Sequence, residues 1–112
     1  MFYLEDILES ARKVQRYTEG MTFEQFQSQD LVFDAVVRNL EIIGEAAKRL
    51  PTDSKAMMPA VDWNKMAGFR DVIAHGYFGL DVHVIWDVVQ SKIPTLISSG
   101  EHTLHLVKDQ GR

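Results

Sequence analysis

Apolar residues recur along this chain at the three- and four-residue spacing of helices, almost from end to end. Residues 2–18 carry Leu4, Ile7, Leu8, Ala11 and Val14 in that rhythm, with Glu5, Asp6, Glu9, Arg12, Lys13 and Arg16 between them. The pattern predicts an amphipathic helix, and Gly20 stops it. Thr22-Phe23-Glu24-Gln25 places a capping hydroxyl three residues before a glutamine, so a short turn of helix is expected next.

The stretch from about Ser28 to Leu50 carries two apolar stripes. Val32, Val36, Ile43, Ala46 and Leu50 make one; Phe33, Val37, Leu40, Gly44 and Ala47 make a second beside it. A surface helix needs only one such face. Two faces fit a helix covered by its own bundle and by a second subunit, and fit equally the central helix of a monomeric bundle. Pro51 ends the helix, and residues 51–60, with prolines at both 51 and 59, read as a loop.

Asp62 is placed to cap a further helix through Trp63, Met66, Phe69, Val72 and Ile73, with Gly76 as its stop. Asp81 opens the last long helix, whose core stripe is Val82, Ile85, Trp86, Val89, Ile93 and Leu96. Pro94 falls inside that pattern and is expected to kink or interrupt it. Residues 100–112 read as a loosely held tail. Nothing alternates long enough to predict a strand. The expected fold is all-α: an antiparallel four- to five-helix bundle in a single domain spanning residues 1–112.

Composition narrows the chemistry. With 112 residues, 46% hydrophobic and 25% charged, the chain is ordinary globular protein, long enough for one core without staples. It has no cysteine, which removes disulfides, thiolate metal sites and cysteine nucleophiles. Met1–Asp6 lacks a basic leader region and no run approaches the ~20 apolar residues of a membrane span, so a cytoplasmic protein with no membrane contact is expected. The formal net charge of −4 argues against coating nucleic acid with the whole surface, and leaves room for a local basic cleft.

Gly-rich phosphate loops, the G-x-S-x-G elbow and H-E-x-x-H are all missing from the sequence. His102 and His105 have a metal-compatible spacing but no obvious third ligand, so no metal is expected there. His83 reads as a surface or helix-start residue. Glu41, Glu45 and Arg49 form a charge ladder in which only Glu45–Arg49 is favourable.

One segment stands apart: Phe69-Arg70-Asp71-Val72-Ile73-Ala74-His75-Gly76-Tyr77-Phe78. Arginine offers a planar fork for phosphate, and histidine a group that gives or takes a proton near neutral pH. The predicted helix end at Gly76 places His75 in the last turn, where the helix dipole favours the imidazolium. Together these make a minimal kit for cleaving a phosphodiester without metal. The residues alone fit equally a plainer reading: surface charges at Arg70 and Asp71, a C-cap at His75 and a core aromatic at Tyr77.

The same segment matches the R-x-x-x-x-H-x-Y signature of the HEPN superfamily, with Asp71 as the polar residue after the arginine. The chain resembles in particular the HepT toxins, which are encoded beside a minimal nucleotidyltransferase (MNT) antitoxin. Arg38-Asn39-Leu40-Glu41-Ile42-Ile43-Gly44-Glu45-Ala46-Ala47 is similar to the family's central helix, and Trp63 and Trp86 stand at family-like positions. The resemblance implies a homodimeric, metal-independent endoribonuclease of a toxin–antitoxin pair, needing no cofactor, with both motifs facing a shared cleft. In that reading Arg70 and His75 are catalytic, Asp71 and Tyr77 support the active site, and the antitoxin adds AMP to Tyr77. A non-catalytic nucleotide- or RNA-binding partner of the nucleotidyltransferase is the alternative, since binding and cleavage both call for arginine and histidine beside a phosphate.

Overall fold

A computed structural model describes the backbone of residues 2–75 and 81–110, and the side chains of residues 3–69 and 81–107. The first amphipathic pattern becomes α1 (Phe2–Thr18), which turns at Gly20, the one described residue with positive φ. Thr22 then caps α2 (Phe23–Ser28) reciprocally with Gln25, each side chain bonding the other's backbone N–H. The chain continues into α3 (Asp30–Arg49), α4 (Thr52–Ala56) and α5 (Trp63–His75). Asp81 caps α6 (Val82–Asp87), which runs through a π-helical turn at Val88–Lys92 into α7 (Ile93–Gln110). No strand occurs among the described residues. The fold is an all-α helical bundle, as expected.

α3 is the central helix. It packs on α1 and α5 along its length and on α2 at its start, while α1 also packs on α7. Val36, Val37, Leu40, Ile43 and Ala47 are fully buried, and Ala46 and Leu50 nearly so. Val32 and Phe33 lie partly buried against the same core. Both apolar stripes are thus covered inside one chain. No second subunit is needed to bury either of them.

Two local expectations are corrected and a third is met. Residues 51–60 are not all loop, because Pro51 pre-sets its backbone ahead of one short helix, α4. Residues 100–110 are not a loose tail: α7 continues through Gln110, with Gly100 and Thr103 buried. Pro94 interrupts the last helix without ending it. The backbone N–H of Ile93 bonds the carbonyl of Val88, five residues back. This wider turn just before the proline absorbs its missing donor and its ring, so a single helical run from 82 to 110 survives. At roughly 43 Å, that run spans most of the molecule's 47 Å length.

Candidate active site

The motif helix is positioned from its N-terminal half. The Asp62 carboxylate accepts a hydrogen bond from the backbone N–H of Lys65 (3.1 Å) and starts α5. Met66 and Phe69 then anchor it in the core, 1% and 6% exposed. Of the helix packings, the dominant one for α5 is against α3. Among the described residues it is held mainly by that side.

That side sets the register of the motif. Arg70 comes one turn after Met66 and two turns after Trp63, so its backbone position continues the line of core anchors. His75 lies about 140° further round the same helix. It falls in line with Gly68 and Asn64, where Asn64 is exposed and a β-carbon on Gly68 would meet nothing within 4 Å. Asp71 lies between the two lines. Helical backbone reaches His75, the last residue of α5, so Arg70, Asp71 and His75 share one rigid element. Their side chains, and Gly76 and Tyr77 altogether, lie outside the described residues.

The remaining histidines stand apart from this helix. His83 is exposed at the start of α6, where the Asp81 carboxylate accepts from its backbone N–H at 2.8 Å. Its ring stacks on Phe23 with centroids 4.5 Å apart, and Trp86 meets Phe23 and Phe26 beside it. Local periodicity could not reveal this junction, because α2 and α6 are about sixty residues apart in sequence. His102 and His105 are exposed on α7. Among the described residues no group of three metal-ligating side chains forms, and no helix is long and apolar enough to cross a membrane.

A groove of about 550 Å³ runs between the first turns of α1 and the outer face of α3. Its lining includes Tyr3, Arg38, Glu41, Ile42, Glu45 and Arg49. Arg38 pairs with Glu41, and Arg49 with Glu45 at 3.2 Å. The Arg49 guanidinium is held above its ordinary pKa by a hydrogen bond with Tyr3, then by the charge of Glu45. The charge ladder read from the sequence is present, and Arg38 relieves the Glu41–Glu45 repulsion.

Comparison with known proteins adds a family. A family model described as "Ribonuclease HepT-like" matches residues 7–102. A protein of Thermococcus cleftensis named "Probable ribonuclease HepT" is 45% identical over 94 residues, covering 84% of this chain and 86% of that protein. A Methanocaldococcus jannaschii protein named as a "Putative RNase" is 41% identical over 107 residues, 96% of this chain and 86% of its own length. One from Caldanaerobacter subterraneus, named likewise, is 39% identical over 94 residues, 84% of each chain. No solved structure matches.

Proposed function

The chain belongs to the HepT-like ribonuclease family, and we propose that it is a metal-independent endoribonuclease whose chemistry is carried by Arg70 and His75. Family membership supports an RNA-cleaving enzyme of the HEPN type. The observation that carries the finer reading is the helical backbone of α5, continuous from core-anchored Met66 and Phe69 to His75. It gives the arginine and the histidine a fixed separation on one rigid element, as positioned catalysis requires.

His75 moves the proton. It accepts it from the attacking ribose 2′-hydroxyl or returns it to the departing 5′-oxygen. Arg70 offsets the charge that builds on the phosphorane-like transition state. Asp71 orients one of these two, and Tyr77 shapes the site. The protein works as a homodimer with both motifs facing one cleft, which gathers positive charge that a chain of net charge −4 otherwise lacks. It is the cytoplasmic toxin of a pair, restrained when an MNT-type nucleotidyltransferase adds AMP to Tyr77.

The experiment is RNA cleavage in the presence of a chelator by the wild-type protein, Arg70→Ala and His75→Ala. Cleavage that persists in chelator and disappears in both variants, with unchanged melting curves, supports the reading. Cleavage that survives both substitutions overturns it, and cleavage that stops on chelation overturns the metal-free half. RNA bound but never cut would leave the chain a non-catalytic RNA-binding partner.

A further inference from the structure

The core uses up both apolar stripes of α3 and leaves its third face to solvent. That face is charged, and the order of its charges is informative. Asp34, Arg38, Glu45 and Arg49 fall within about 60° of one another around the helix and span about 22 Å along it. Arg38, Glu45 and Arg49 side chains are 66%, 43% and 61% exposed, and Asp34 is exposed too. Read along the helix, the signs run minus, plus, minus, plus.

This order is complementary to itself when reversed. Asp34 and Arg49 are equidistant from a point between Glu41 and Ile42, and so are Arg38 and Glu45. We propose that this outer face of α3 is where a second copy of the chain docks, the two α3 helices running antiparallel about that point. Asp34 then meets Arg49 of the second copy, and Arg38 meets its Glu45, each contact occurring twice by symmetry.

The pairs inside each chain extend into one alternating network. Glu41 holds Arg38, which faces Glu45 of the other copy. That Glu45 holds its own Arg49, which faces Asp34. On one side of the two-fold axis the half-buried Ile42 of the two copies meet, beside Tyr3 and Ala46 in the groove along α1. On the other side the two Glu41 approach, each neutralised by its own Arg38.

Other arrangements are penalised. Sliding the antiparallel pair by one turn sets Asp34 against Glu45 in one direction, and Arg38 against Arg49 in the other. A slide of two turns opposes Arg38 with Arg38, or Glu45 with Glu45. A parallel pair in register, the other two-fold arrangement, opposes every charge with its like. Among two-fold pairings of these four charges, repulsion as well as attraction therefore favours this register and direction. This inference rests on the homodimer of the proposed function and identifies its surface.

The test uses two single variants of the full chain, Arg38→Glu and Glu45→Arg, followed by sedimentation at micromolar concentrations. Both side chains reach the protein surface, so both variants should keep the wild-type helical signal. Each reversal creates two like-charge contacts and should weaken self-association about tenfold or more. An equimolar mixture of the two should associate again. In the mixed dimer the two substituted positions face each other with opposite charges, and the remaining pair is the native one.

Variants that dimerise as tightly as wild type would overturn the proposal while leaving dimerisation itself, and the nuclease reading, standing on another surface. Failure of the mixture to recover would overturn it too, since simple loss of stability or solubility cannot be rescued by the complementary charge. A wild-type chain that stays monomeric would assign the face to a different protein or to RNA, and would overturn both this proposal and the shared cleft.

Discussion

Gly100 of α7 lies flush against Leu8 of α1: a β-carbon at position 100 would stand 2.7 Å from Leu8 Cδ2 and 3.2 Å from its Cγ. Leu8 is fully buried among core residues, so its side chain has little room to give. The last helix thus locks onto the first at a point where only hydrogen fits. Gly100→Val is expected to cost about 1–3 kcal/mol by overpacking. Gly100→Ala should cost less, because it regains roughly 0.5–1 kcal/mol of helix propensity. Thermal melts of both variants check this, and a valine variant as stable as wild type would mean that the two helices are not in contact there.

Among the described residues, two buried side-chain polar atoms have no hydrogen-bond partner, the Trp63 indole Nε1 and the Thr103 hydroxyl. A buried unpaired polar group carries its full desolvation cost, so replacing it with an apolar shape is favourable or neutral. Thr103→Val, nearly isosteric at a site 1% exposed, is expected to stabilise the protein by about 1 kcal/mol. Trp63→Phe should fall within about 1 kcal/mol of wild type, since lost packing and the removed donor offset each other. A denaturant titration in which Thr103→Val is clearly less stable would reveal a partner for that hydroxyl in solution.

How far the sequence could be read is seen in particular residues. Thr22 with Gln25, Asp62 and Asp81 were legible as caps because capping depends on neighbours two or three residues away. The helical character of α1, α3 and α5 was legible for the same reason, since periodicity is local. Two features depended on distant partners and were not. Gly100 reads as a helix breaker until Leu8 fills the space where its side chain would be. The stripes of α3 read equally as core and interface, because a pattern of burial does not say whose atoms do the burying. At the candidate site the sequence supplied the residue types and their spacing, and the structure adds the rigid helix that carries Arg70, Asp71 and His75.

That ambiguity on α3 now separates into opposite outcomes at two nearby positions. Leu40 is fully buried, whereas Arg38, two residues earlier, is exposed on the far side of the helix. Leu40→Asp would bury an unpaired charge and leave a cavity, and is expected to cost more than about 4 kcal/mol and unfold the domain. Arg38→Glu should change stability by no more than about 0.5 kcal/mol. Circular dichroism on heating distinguishes the two. If Leu40→Asp were folded and merely monomeric, the stripe would be interface after all and the core assignment would fail.

Control of the enzyme is expected at Tyr77. It follows His75 by two residues, so their α-carbons are at most about 7 Å apart whatever the backbone does. Transfer of AMP from ATP would join the tyrosine oxygen to the α-phosphorus and release pyrophosphate. The product carries a negative phosphate and a nucleoside within reach of the groups proposed to hold RNA. That phosphate competes for the Arg70 fork, which favours bidentate oxygens, and the nucleoside occupies volume that a substrate base would need. Inhibition then requires no remote conformational change. Incubating the protein with ATP and an MNT-type nucleotidyltransferase, followed by peptide mass spectrometry, should find the added mass on Tyr77 and a matching loss of RNA cleavage. Tyr77→Phe should take up no added mass, and whatever cleavage it retains should be unaffected by ATP and the nucleotidyltransferase. Modification at any other residue, or inhibition that persists in Tyr77→Phe, would remove this control while leaving the roles of Arg70 and His75 untouched.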